Sequence, residues 1–126
     1  MNADAVTTIG QILADNSIID VPVRADALRD NEKVGVAVRA VGGTGDVSYL
    51  PISELSVDVF CYGETRAKAR ELGYKVHDVL KAYSGGVVGK TRVTGLRCDI
   101  PPMSVVDAAL VRPYTVQSWT GQMGAI

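Results

Sequence analysis

The stretch from residue 52 to residue 83 joins two different hydrophobic periods, and this junction limits the folds open to the chain. From Ile52 to Tyr62 apolar residues recur at every second position, which predicts a half-buried strand. From Thr65 to Tyr83 they recur at every third or fourth position, which predicts an amphipathic helix with Thr65 as its N-cap. A strand with one apolar face and a helix with one apolar stripe favour a sheet covered by that helix.

The remaining segments complete an α+β pattern. Apolar spacing predicts a short N-terminal helix that ends at Asp15–Asn16. Further predicted strands or extended segments are residues 18–23 (an edge strand or connector, because of Pro22), 34–41, 92–100 (ended by Pro101–Pro102) and 111–120. The predicted order is α-β-β-β-α-β-β, a twisted, mainly antiparallel sheet with the N-terminal helix and the long amphipathic helix packed on it.

Length and composition fit one soluble domain. The chain has 126 residues, which predicts a single domain over 1–126. A formal net charge of −1 argues against a strongly cationic nucleic-acid binder, although not against passive contact with DNA in a channel. Residues 118–126 are dotted with glycine and include Trp119 and Met123; we expect either a flexible tail or an arm that docks on a neighbouring subunit.

Signals for metal binding, secretion and membrane insertion are weak. Cys61 and Cys98 form no C-x-x-C pair and His77 is the single histidine, so no zinc site is expected, and two reduced, buried thiols are favoured over a disulfide. The start of the chain lacks a basic region followed by an apolar stretch, and no apolar run approaches the ~20 residues that span a bilayer. We therefore expect folding in a cytoplasm, with no cofactor.

Two patterns suggest catalysis but fail on context. Residues 84–91 (SGGVVGKT) resemble a phosphate-binding loop, yet a predicted helix precedes them and a strand follows, the reverse of the order that such a loop needs. His77 has Asp78 beside it, but adjacent helical positions do not face each other. A flexible turn and a surface or interface histidine are the favoured interpretations, and no enzyme activity is expected.

Two sets of residues are candidates for contact with another subunit. The first is the glycine-rich, polar segment Gly42–Pro51, which includes Gly42, Gly43, Thr44, Asp46 and Tyr49. Long exposed loops are often contact elements, although a mobile hairpin tip without a role is the alternative. The second set, Glu54 and Asp58, shares one face of the predicted strand and would form a polar surface toward solvent or a subunit; a divalent-cation or acid–base site is the alternative.

Short motifs resemble the tail terminator and tail-completion proteins of long-tailed phages, over residues 5–117. A strand ends in Gly42–Gly43, the sequence Val57–Asp58–Val59–Phe60 runs into the amphipathic helix, and Ala69 occupies an alanine-rich position of the family. A late Arg-x-Tyr strand, residues 112–116, also matches.

The resemblance implies a structural protein of the virion tail or neck. Such proteins form a ring, commonly a hexamer, that caps the tail tube and joins it to the head connector while DNA passes through the centre. The implied partners are other copies of the chain, the tail-tube protein and the connector proteins. A head-closure or other neck protein is the alternative, and a small-molecule- or metal-binding regulatory module is a third hypothesis.

Overall fold

Two helices and six strands form the part of the chain that this computed structural model describes, residues 5–16, 19–29, 31–41, 52–83, 86–88, 91–105 and 113–125. The elements are α1 (Ala5–Asp15), β1 (Val23–Ala25), β2 (Gly35–Ala40), β3 (Ile52–Tyr62), α2 (Arg66–Ala82), β4 (Val87–Val88), β5 (Thr91–Val105) and β6 (Tyr114–Ala125). The predicted α+β class and element order are confirmed, with the two-residue β4 as an addition.

The strands form one sheet in the order β1-β2-β3-β6-β5-β4. The short edge strand β1 runs parallel to β2, and all the other pairs are antiparallel. The central pair, β3 and β6, stays in register from Ile52 opposite Gly124 to Tyr62 opposite Tyr114. This unbroken pairing of two long strands forms the frame on which the helices pack.

Helix α2 begins and packs as its sequence predicts. The Thr65 hydroxyl accepts a hydrogen bond from the Lys68 N–H at 3.2 Å, which satisfies one of the free donors of the first turn. Its apolar stripe, which includes Leu72, Val76 and Leu80, is buried against the sheet. Because α1 joins the same core cluster, both helices cover one face of the sheet.

The core lies between this face and the two helices. Its strand residues are Val36, Val38, Leu55, Val57, Val59, Cys61, Val93, Leu96, Trp119 and Met123. Its helix residues are Val6, Ile9, Ile12, Leu13, Leu72, Val76, Val79 and Leu80. We call this side of the sheet the covered face.

The sequence prediction for the end of β5 is wrong. β5 does not end at Ile100 but continues through Pro101–Pro102 to Val105. Its pairing with β6 shifts at three places, one of them between Ile100 and Met103, and Gly95 (φ +62°) lies within another. A proline that cannot donate is tolerated at such an irregularity.

The C-terminal residues also differ from the sequence expectation. Residues 118–125 belong to β6, which is hydrogen-bonded to β3 on one side and to β5 on the other. They form neither a flexible tail nor a free arm, because pairing on both sides compensates for the weak strand propensity of glycine and glutamine.

Candidate interaction surfaces

The side of the sheet opposite the helices carries a second set of side chains, which we call the open face. On β3 these residues alternate with the core residues, and their cross-strand partners on β6 and β5 share the same side. The open face is defined by Asp58, Phe60, Tyr62, Ile100, Met103, Tyr114, Val116 and Ser118. Among the described elements, both helices lie on the covered face, and none lies over these residues.

One half of the open face is aromatic and apolar. The Tyr114 ring lies 5.9 Å from the Phe60 ring and 5.3 Å from the Tyr62 ring, measured between centroids. The Arg39 guanidinium lies 5.0 Å from the centre of the Phe60 ring. On β5, Ile100 and Met103 are 46% and 53% exposed. An apolar patch of aromatic residues and methionine with an arginine beside it has the composition of a protein–protein contact surface.

The other half of the open face is polar. Asp58 accepts a hydrogen bond from the Ser118 hydroxyl, its partner across the β3–β6 pair. Asp99 accepts a hydrogen bond from Thr120 at 2.9 Å and lies 3.3 Å from the Arg97 guanidinium. No group of three or more potential metal ligands occurs among the described residues. Asp58 lies in this polar half.

Of the sequence-predicted site residues, the structure describes two in full, Asp58 and Trp119, and they lie on opposite faces of the sheet. Gly42, Gly43, Thr44, Asp46 and Tyr49 lie outside the described residues. Glu54 lies on β3 opposite Gln122, and its side chain is outside the described set. Asp58 lies on the open face.

Trp119 is a correction to the predicted interface. It is 1% exposed, its ring lies 5.4 Å from the His77 ring, and its indole N–H donates to the Gln117 side-chain oxygen at 2.7 Å. The side chain fills the core because its position on β6 points inward, opposite Val57. It is therefore enclosed by its own chain and does not face a neighbouring subunit.

Five contact candidates on the open face were not identified from the sequence: Phe60, Tyr62, Ile100, Met103 and Tyr114. Phe60 and Tyr62 have the same strand parity as Asp58, so two aromatic residues on a nominally polar face were the available signal. Met103 gave no such signal, since Pro101–Pro102 suggested that the strand had ended at Ile100.

Neither catalytic pattern forms a complete site among the described residues, which leave out residues 84, 85, 89 and 90 of the motif that resembles a phosphate-binding loop. His77 is half-buried; its Nδ1 lies 3.6 Å from the Asp78 carboxylate and its ring packs near Trp119. The motif that resembles a phosphate-binding loop follows helix α2 and precedes strand β5, and its Val87 and Val88 form β4. This order is the reverse of the strand-then-helix order that such a loop needs, as the sequence indicates. No helix N-terminus is available there among the described residues to bind a phosphate.

The two cysteines are free and differ in burial. Cys61 is fully buried on the covered face, and this burial raises the pKa of its thiol to about 12. Cys98 is half-buried, and partial burial raises the pKa of its thiol. Both thiols are therefore poor nucleophiles at neutral pH.

A shallow groove of about 390 Å³ lies between the end of α1 and the second half of α2. Its lining residues are Asn16, Lys75, Asp78, Val79, Ala82 and Tyr83. The lining combines apolar surface with a single lysine and a single aspartate and lacks the converging polar groups of a specific small-molecule site.

Neither described helix combines the length and the apolar character that a membrane span requires.

Comparison with known proteins gives matches in structure alone. No family model matches the sequence, and no curated protein matches it. A chain from the virion of a native gene transfer agent particle is similar, with a TM-score of 0.60, 14% identity, and coverage of 94% of this chain and 93% of that chain. The gp17 protein of bacteriophage SPP1 is also similar, with a TM-score of 0.53, 13% identity, and coverage of 97% and 88%. At such identities the likeness shows a shared fold.

Proposed function

We propose that this protein is a structural component of a virion, a tail terminator whose subunits form a ring, commonly a hexamer in the resembling family. The observation that carries the proposal is the fold shared with a virion chain over 94% of this chain and 93% of that one. The match extends over nearly the whole length of both chains, so the shared fold is that of the complete sheet with its helices and not of one motif. The resemblance of the sequence to tail-completion proteins supports the same assignment independently.

The proposed ring acts by shape and contact rather than by covalent chemistry. It sits on the last ring of tail-tube subunits, stops tube growth, and offers the opposite surface to the head connector. Genomic DNA passes through its centre without sequence-specific binding. The protein is then assembled in the host cytoplasm and resides at the tail or neck of the virion.

The open face supports a protein that completes its burial in an assembly. A small domain buries a limited share of its own surface. Here Ile100 and Met103 remain about half exposed beside three aromatic rings. A solitary soluble protein gains nothing from such a patch, whereas a ring subunit can bury it against another virion protein.

Electron microscopy of the purified protein, alone and mixed with tail tubes, tests the proposal. We expect discrete rings, or a monomer that forms rings on tube ends, and tubes that stop growing when capped. A protein that stays monomeric, leaves tube ends bare and does not change tube length would contradict it. Binding at the portal side instead of the tube end would assign the head-closure role.

A matched pair of variants makes this test specific. Met103→Glu places a charge in the apolar half of the open face, and Ala14→Glu places the same charge at an exposed position of α1, which lies on the covered face. We expect the first variant to lose tube capping and the second to keep it, with both showing the circular dichroism spectrum of the unmodified protein.

A further inference from the structure

Helix α2 presents an exposed stripe on the side that faces away from the sheet. The stripe consists of Arg66, Arg70, Tyr74 and Lys81, which share one helical face, and the same face also carries Asp78, four residues after Tyr74 and 80% exposed. Tyr74, at its middle, is 51% exposed. None of the three cationic groups forms an ion pair within the described residues. Exposed tyrosine flanked by arginine is the composition of an interface centre.

The charge of α2 differs from that of the remaining chain. The helix contains five lysine and arginine residues and two acidic ones, so it is net +3 in a chain of formal net charge −1. All other residues together are therefore net −4. Charge complementarity then favours contact between α2 of one copy and a surface elsewhere on another copy.

The open face supplies one carboxylate for such a contact, Asp58, since Asp99 lies 3.3 Å from the Arg97 guanidinium. Its apolar half can receive Tyr74, and the Asp58 carboxylate lies beside that half, hydrogen-bonded to a neutral hydroxyl. The cross-strand neighbour Arg39 directs its guanidinium over the Phe60 ring and to the Asp26 carbonyl oxygen. Asp58 thus forms no ion pair within the described residues and is available to a cation from outside.

We propose that the α2 stripe of one copy packs on the open face of a second copy, with the arginines of the stripe near Asp58. This inference rests on the ring of the proposed function and names the surfaces that form it. The two surfaces lie on opposite sides of one subunit, because α2 covers the face of the sheet opposite Asp58 and Phe60. The contact is head-to-tail, and repetition leads to a closed ring or a filament rather than to a symmetric dimer.

The size of the contact argues against a stable isolated dimer. A helix of 17 residues has a footprint of roughly 25 Å by 10 Å, well below the ~800 Å² that each partner buries in a standard stable interface. A single contact of this size does not hold a dimer together. In a closed ring each subunit makes the contact twice, once with each neighbour.

Cross-linking with single and paired cysteines tests the geometry. In a Cys98→Ser background, with Cys61 buried and unreactive, Tyr74→Cys and Met103→Cys are made singly and together. With a short bismaleimide we expect the double variant to give a ladder beyond the dimer, and each single variant to stay monomeric. A dimer from Met103→Cys alone would indicate face-to-face pairing and overturn the proposal, as would a double variant without a ladder.

Charge reversal tests the pairing of α2 with Asp58. We expect Arg70→Glu and Asp58→Lys each to lower the association constant roughly tenfold or more, since like charges then face each other, and the combined variant to recover it. Absence of recovery would overturn the assigned pairing. Tubes capped by a protein that gives no ladder would leave the proposed function standing, whereas a ladder without tube binding would remove that function and keep this contact.

Discussion

The two faces of the sheet differ in how completely the chain satisfies them. On the covered face, Val57, Val59 and Trp119 are at most 1% exposed beneath two helices, whereas Ile100 and Met103 on the open face are about half exposed. Neighbouring positions of the same strands supply both faces, since Val57 and Val59 flank Asp58. The difference shows that the alternation of side chains places the folding core on one side of the sheet and leaves the other side outside that core.

The covered face is not purely apolar, and its polar residues bind α2. The Gln117 amide donates to the Gly73 carbonyl oxygen at 2.9 Å, and the Thr115 hydroxyl donates to the Ala69 carbonyl oxygen at 3.3 Å. Every buried side-chain nitrogen and oxygen among the described residues has a partner. These bonds fix the position of the helix along β6, which apolar packing alone would leave free to slide.

The largest expected effect distinguishes the two faces directly. Trp119→Ala removes the largest fully buried side chain and should cost about 3–5 kcal/mol of unfolding free energy, measured by urea denaturation. Met103→Ala, on the open face, should change it by less than about 0.5 kcal/mol. Equal losses in the two variants would mean that the open face is also part of the folding core.

A smaller loss is expected when the polar link to α2 is cut. Gln117→Leu keeps the volume but leaves the Trp119 indole N–H without its acceptor, which should cost about 1–3 kcal/mol. Urea denaturation gives the value, and Gln122→Leu, at an exposed position on the same strand, is the matched control. A loss no larger than that of the control would show that water or another group replaces the amide.

Gly73→Ala tests how closely α2 approaches the covered face. Intrinsic helix propensity predicts a gain of about 1 kcal/mol. The added methyl carbon would lie 2.5 Å from the Thr115 hydroxyl oxygen, a clash that should cost about 1–3 kcal/mol and reverse the sign. In a Thr115→Ala background the loss should shrink, because the clashing atom is gone. A stabilising Gly73→Ala would show that the helix can shift outward freely.

The sequence predicted the structure correctly where the structure depends on residues close together in the chain. The change of period between β3 and α2, the Thr65 cap and the inward position of Cys61 all follow from neighbours in sequence. Pro101–Pro102 misled because proline is a poor ladder residue in general but is tolerated where pairing is irregular. The prediction for Trp119 was wrong because the glycine and glutamine residues around it have weak strand propensity. The strand forms there because it pairs with β3 on one side and β5 on the other.

The open face could not be predicted because it depends on register between distant strands. Phe60 meets Val116 on β6, which in turn meets Met103 on β5. Sequence alternation places each residue on one of two sides, but it does not say which residues of other strands lie beside it. The patch exists only once three strands are aligned, and this alignment is a non-local property of the fold.

The smallest expected change in unfolding free energy concerns an ion pair at the edge strand β1, on the same side of the sheet as the open face. Glu32 accepts hydrogen bonds from the Arg24 side chain at 2.7 and 3.1 Å and from the Arg29 N–H at 2.9 Å. These contacts, and above all the hydrogen bonds from the Arg24 side chain, lower the pKa of Glu32 from its ordinary 4.5 to about 2. A carboxyl whose folded pKa is depressed stabilises the fold above its unfolded pKa, and this contribution is lost as pH falls from about 4.5 toward 2.

We therefore expect Glu32→Gln to be less stable than the unmodified protein at pH 6.5, by a small margin because the pair is near the surface. The difference should narrow steadily between pH 4.5 and pH 2, and urea denaturation across this range measures it. Arg24→Gln should show the same narrowing, because either substitution removes the interaction that depresses the pKa. A difference that stays constant down to pH 2 would mean that Glu32 supports the β1 edge by packing rather than by charge, and that this edge resembles the covered face more than the open one.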